Sequence, residues 1–156
     1  MQRFVFACAL TLTMAACSGS SPSTPSGPQI SVGGNYDIRK TVVVETCGLS
    51  SPGDSFSNPG EVRHTTGSTA FVLNDHGTRD LSGTLNRDGT FTMPPTSSLV
   101  MNSIPATDTW ENGRFTTSGF ELRATTDLAS KPGGGPACRV VTNWSAAKQG
   151  SPNVIP

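Results

Sequence analysis

Charge is scarce in this 156-residue chain: Asp, Glu, Lys and Arg together make up 14%, with 11 basic residues against 11 acidic ones. A nucleic-acid footprint requires a basic excess, so nucleic acid is excluded as a default partner. Histidine occurs only twice. No apolar run reaches the roughly 20 residues a helix needs to cross a bilayer, and no stretch repeats apolar residues at helical spacing. The 17 Gly and 12 Pro argue further against long helices as the main architecture. What is abundant is hydroxyl: 19 Ser and 20 Thr stand beside a hydrophobic content of 34%, a composition associated with exported β-rich proteins.

At the N-terminus Arg3 precedes an apolar run from Phe4 to Ala16. About a dozen apolar residues are too few for a span and suit a secretory signal, so residues 1–16 are expected to be removed. Met14-Ala15-Ala16-Cys17 resembles the bacterial lipobox, in which a large apolar residue and two small ones precede the cysteine that becomes lipidated. The resemblance implies a diacylglyceryl group on Cys17, cleavage before it, and residence in the bacterial cell envelope with the lipid membrane as partner. Ser18, rather than Asp, after that cysteine implies the outer membrane. Ser18 to Gln29 has no apolar side chain to bury, so residues 17–29 read as the lipid-bearing cysteine and a flexible tether. Several acyl chains, at about 0.8 kcal/mol per buried CH₂, would hold the anchor stably.

Of the four cysteines, Cys8 leaves with the leader and Cys17 carries the lipid, which leaves Cys47 and Cys138. In an oxidising compartment two such cysteines most simply bond to each other. The alternatives are two reduced thiols or a metal pair, and neither His64 nor His76 stands at a ligand spacing from them.

Residues 30–149 are expected to form one domain, with 150–156 as a flexible C-terminal tail. Short runs rich in Val, Thr, Phe and Ile alternate with Gly, Pro, Asn and Asp, the pattern of an all-β fold. Expected strands cover 36–46, 62–66, 68–73, 80–85, 90–93, 98–104, 107–110, 114–117, 120–126 and 138–146, with a turn at Asn74-Asp75-His76-Gly77 and a hairpin closed by Gly89. About eight to ten strands joined by short turns make an antiparallel up-and-down meander, closed as a barrel or folded as a β-sandwich. Cys47 ends the first strand and Cys138 begins the last. Antiparallel pairing of those strands would make the cysteines neighbours, set Tyr36 beside Lys148 or Gln149, and close a barrel. Ile38, Val42 and Val44 share one face of the first strand while Val43 and Cys47 share the other, which predicts a bulge or two-sided burial there.

Gly34-Asn35-Tyr36 opening the first strand, with one cysteine at that strand's end and another opening the last, resembles lipocalin-like small barrels. Tyr36 stands where that family carries Trp, and Lys148 where it carries Arg. The resemblance implies a carrier for a small apolar ligand, with Tyr36, Trp110 and Trp144 as candidate lining residues; most other aromatics are needed for the core.

Signals of catalysis or metal binding are weak. Ser145-Ala146-Ala147-Lys148 has the spacing of a Ser-x-x-Lys nucleophile pair, but on a strand positions i and i+3 face opposite sides. Asp75, Asp80 and Asp88 sit in or near turns and miss the calcium-loop pattern. Asn143-Trp144-Ser145 matches a glycosylation sequon only formally. No nucleophile, base and orienting group can be grouped, so no catalytic residue, metal ligand or cofactor is expected. The expected role is a non-enzymatic envelope module that binds or supports. The alternatives are the apolar carrier and an inhibitor of a protease or lysozyme that presents Lys131 to Pro136 or Ser50 to Gly60.

Overall fold

A computed structural model describes residues 29–75, 79–101 and 103–156. Nine strands follow one another: β1 (Gly34–Glu45), β2 (Ser55–His64), β3 (Ala70–Asp75), β4 (Arg79–Leu85), β5 (Thr90–Thr92), β6 (Thr96–Val100), β7 (Ile104–Thr116), β8 (Gly119–Leu128) and β9 (Cys138–Lys148). All pairings are antiparallel in the order β5-β4-β3-β2-β1-β9-β8-β7-β6, and β5 also pairs with β7, so the meander closes on itself as an eight-strand barrel. First-to-last pairing holds in the expected register: Tyr36 lies opposite Lys148, and the ladder runs on to Glu45 opposite Val140. The expected irregularity in β1 is a bulge between Val42 and Val44, and both Val43 and Val44 are exposed.

Three sequence expectations are corrected. Ser55 to Gly60 belongs to β2, paired along β1, rather than to a presented loop. The expected strands 107–110 and 114–117 are one strand, β7, interrupted by a bulge between Glu111 and Arg114 where Asn112 takes φ 55°. Asn adopts that left-handed conformation at less cost than most side chains, so the ladder resumes beyond it. Residues 150–156, expected to be flexible, are docked. Val154 bridges Ser31, and buried Asn153 donates to the carbonyls of Thr116 and Gly119 while accepting from Tyr36 and Lys148. An amide with four partners is the anchor that a composition-based reading of Ser-Pro-Asn misses.

The two ends of the barrel differ. At one end arrive the N-terminal segment, the β2–β3, β4–β5 and β7–β8 turns, and the C-terminus. Buried Ile30 and Val32 seal this end together with Ile155, which packs on the core. Above the seal Tyr36, Phe71, Phe91, Phe115 and Phe120 pack with ring centroids 4.8–6.4 Å apart. Gly83 makes room for them: a Cβ there would stand 2.3 Å from the Phe71 ring. Each fully buried Phe or Leu contributes about 1.5–3 kcal/mol, so this end is the main source of stability. The outer wall presents Asp37, Arg39, Glu61, Arg63, Asp80 and Glu121 to solvent. A lipid-facing barrel instead needs an apolar outer band.

At the other end stand the β1–β2, β6–β7 and β8–β9 connections and the ends of β3 and β4. A second apolar cluster of Cys47, Ala106, Leu128 and Cys138, with Val100, Ile104 and Val140 against it, caps one side of this end. The Cys47–Cys138 disulfide lies within it, with Cα atoms 5.1 Å apart. Glu45 accepts from the backbone N–H groups of Cys47, Gly48 and Leu49, which shapes the chain leading away from the bridge. The wall is incomplete nearby. Pro94 and Pro95 have no N–H to give a ladder, and they separate β5 from β6. Beyond them β6 pairs with β7 alone, and β4 meets β5 only at Thr84 and Leu85. Among the described residues no ladder joins β6 to β4.

Candidate functional site

Between the aromatic core and the disulfide cluster, the inward positions change character. Strand alternation points Tyr36, Ile38, Lys40 and Val42 into the barrel, so a lysine occupies an apolar phase. The same phase places Asn58 on β2, Asp75 on β3, Arg79 on β4 and Asp108 on β7. Lys40, Asp75 and Asp108 are buried. The Lys40 ammonium donates to both oxygens of Asp75 at 2.8 Å, and the Asn58 amide donates to one of them at 3.0 Å. Arg79 donates to Asp108, which also accepts from Thr126 at 2.6 Å and from Ser98 at 3.5 Å. This Arg79–Asp108 pair lies where β4 and β6 share no ladder.

Aromatic side chains run through the same layer. The Lys40 ammonium lies 3.9 Å from the Trp144 ring centroid and 5.9 Å from that of Phe56, which is 52% exposed. Trp144 meets Trp110 edge to face at 5.5 Å, and the Arg79 guanidinium stands 5.4 Å from the Trp110 ring. Trp144 donates its indole N–H to Thr142, whereas the buried Trp110 Nε1 and Thr96 Oγ1 have no hydrogen-bond partner among the described residues. Burial lowers the Lys40 pKa, against the opposing pull of Asp75. An ammonium and two carboxylates buried together, with a partly exposed guanidinium beside them, are costly, and apolar residues of similar volume would often be at least as stable. Such a layer is a functional-site candidate.

The candidate lining residues part company here. Trp110 and Trp144 lie in this layer. Tyr36 lies at the sealed end, where its one hydroxyl hydrogen is shared between the Val32 carbonyl at 2.6 Å and Asn153 Oδ1 at 2.8 Å, so it belongs to the core rather than to a ligand wall. The Lys148 ammonium stands 5.9 Å from the Tyr36 ring, the pair that the lipocalin-like resemblance singled out. His64 is part of the seal: its Nδ1 accepts from the Val32 N–H and its Nε2 lies 2.9 Å from the Ser68 carbonyl. Ser145 is exposed, whereas Lys148 turns toward Asn153, so the Ser-x-x-Lys spacing makes no pair. Among the described residues no group of three His, Cys, Asp or Glu could hold a metal. Cys17 and His76 lie outside the described residues. Open grooves of about 550 and 530 Å³ lie outside the barrel, beside Leu99 and Pro105 and beside Thr41 and Asn143.

Sequence reasoning missed Lys40, Asp75, Arg79 and Asp108. The available signal was a charge in the apolar phase of a strand, most visible at Ile38-x-Lys40-x-Val42.

Burial pushes the Tyr36 pKa up from 10.0 to about 12, with the Asn153 bond opposing the rise. The folded pKa exceeds the unfolded one, so the Tyr36 contribution is fully present below pH 10 and is lost as pH rises toward 12. Tyr36 is the sole tyrosine. Phenolate absorbance should therefore titrate near pH 12 in the folded protein and near 10 in denaturant; a single midpoint near 10 in both would remove Tyr36 from the seal.

The fold and this layer define a small closed β-barrel with one sealed end and one polar, aromatic end. No protein-family model, curated protein or solved structure matches the chain.

Proposed function

We propose that the protein is a lipid-anchored module of the bacterial cell envelope that binds through the polar end of its barrel and catalyses no reaction. The observation that carries this reading is the polarity of the barrel's two ends. The chain enters at the sealed end, where Ile30 and Val32 are buried, while Trp110, Trp144 and the four charged residues form a layer beyond the aromatic core, toward the disulfide end. A lipid on Cys17, followed by the 12 residues from Ser18 to Gln29, would tether the sealed end within about 40 Å of the membrane at full extension. The binding end would then face away from the lipid. The charges among the rings also favour a polar ligand over the wholly apolar one of the carrier reading.

Anchoring is tested by fractionation. Wild-type protein should sediment with membranes and partition into detergent, and Cys17→Ala should move to the soluble fraction. Retention of the variant on membranes would refute lipidation at Cys17. The inhibitor reading keeps one candidate segment, the turn after Lys131, whose residues Gly133 to Ala137 are exposed beside the disulfide. Replacing Lys131 to Pro136 with Gly-Ser residues should leave binding at the polar end intact.

A further inference from the structure

The polar layer is balanced in charge but unbalanced in hydrogen bonding. Both oxygens of each carboxylate are engaged: Asp75 by Lys40 and Asn58, Asp108 by Arg79, Thr126 and Ser98. The donors are not used up. A guanidinium carries five N–H groups and an ammonium three; among the described residues Lys40 gives two bonds and Arg79 one, and the Arg79 side chain is 31% exposed, so its remaining donors are open to solvent or ligand. The buried Trp110 indole N–H has no acceptor among the described residues. An orphaned buried donor costs about 1–3 kcal/mol, so a group held in that state points to an acceptor brought from outside. The site therefore calls for oxygen acceptors, at the Trp110 N–H and at the free donors of Arg79.

The surroundings of those donors specify the rest of the molecule. Phe56 is on the inward face opposite Lys40 and is 52% exposed, so an uncovered ring stands at the open end. Phe56, Lys40, Trp144, Trp110 and Arg79 form an unbroken series of contacts no longer than 5.9 Å each. A ligand spanning part of this series meets aromatic surface and N–H donors in turn. We propose that the open end of the barrel binds a small organic acid bearing a planar ring, with its carboxylate on the Trp110 and Arg79 donors and its ring against Phe56 and Trp144. Arg suits the carboxylate because its planar fork gives two parallel bonds. Access runs past Phe56 or between β4 and β6, where the Arg79–Asp108 pair is the crossing contact. This inference rests on the reading of the barrel as a binding module and names the chemistry of its ligand.

Both tryptophans of the chain lie in this site, so tryptophan fluorescence, excited beyond the Tyr36 band, reports on it alone. The full chain, purified in detergent, is titrated with benzoate, its neutral isostere benzamide, and benzylammonium, with calorimetry as a second readout. The expected result is a saturable response to benzoate, with benzamide and benzylammonium at least about tenfold weaker. Trp110→Phe keeps a ring, deletes the orphan N–H and leaves Trp144 as reporter. It should weaken benzoate about tenfold while the thermal midpoint stays near wild type. Equal or tighter binding of benzamide or benzylammonium would overturn the acid while leaving a binding module in place. Silence from all three probes would overturn the inference at this site, and anchoring would still be judged separately by the Cys17→Ala fractionation. The wild-type comparison of benzoate with benzamide needs no variant, so a misfolded Trp110→Phe protein does not protect the proposal.

Discussion

Lys40→Met is expected to destabilise the barrel by about 3–5 kcal/mol, because it strands the Asp75 carboxylate inside the barrel with its principal partner gone. Lys40 and Asp75 have side chains only 10% and 11% exposed, so water cannot take over the lost interaction without opening the wall. Asn58 still donates to Asp75, but a neutral amide does not replace the charge of the lost ammonium. Lys40→Met combined with Asp75→Leu removes both charges. Such a double substitution should recover most of the loss and can match or exceed wild type. Chemical denaturation of wild type, both single variants and the double variant gives the coupling energy directly. A Lys40→Met protein within about 1 kcal/mol of wild type would mean that the pair is solvated in solution, which would undo the picture of a dry polar layer.

Breaking the disulfide has an effect of similar size by a different route. Cys47 and Cys138 are separated by 91 residues, and for a loop of that length the chain-entropy account gives about 4–5 kcal/mol. Cys138→Ser, or reduction of the native protein, should lower the thermal midpoint by roughly 10–20 °C for a domain of this size. The loss falls on the end that carries the second apolar cluster and the ladder from β1 to β9. Hydrogen exchange should accordingly speed up first at Val140 to Thr142 rather than around Phe115 and Phe120. Loss of protection at the aromatic end before the disulfide end would show that the sealed end, and not the bridge, is the weaker part of closure. Thiol counting on the denatured, unreduced protein provides the control, since Cys47 and Cys138 should both be unreactive.

The mutational contrast mirrors what could be read from residues alone. The alternation of Val, Thr and Phe with turn residues is local, and so is the hairpin ending in Gly89, whose φ is +83°. Local patterns are legible because strand phase and turn chemistry depend on neighbours in the chain. The cysteine pair was legible by subtraction, and it also supplied the closure: two bonded residues at opposite ends of a meander bring the first strand to the last. β2 was only half read because Pro59 and Gly60 argue against a strand. Gly60 in fact lies where the Ile38 side chain needs space, a Cβ there standing 2.4 Å from the Ile38 Cδ1. The docked C-terminus was illegible because Asn153 finds its partners on Tyr36, Thr116, Gly119 and Lys148, which only the closed barrel brings together.

Two tryptophans of the candidate site were singled out in advance, while its four charged residues were not. On any one strand a charge is read as facing solvent, since desolvation disfavours the alternative. What makes Lys40, Asp75, Arg79 and Asp108 tolerable inside is that four different strands deliver opposite charges to one level. The all-β antiparallel meander, the hairpin at Gly89 and the pairing of Cys47 with Cys138 were therefore legible in the sequence alone, through interactions between near neighbours and a count of thiols. The sealed end, the unladdered seam beside Pro94 and Pro95, and the polar layer were decided only by the tertiary structure. They arise from the closure that sets residues distant in sequence within hydrogen-bonding distance.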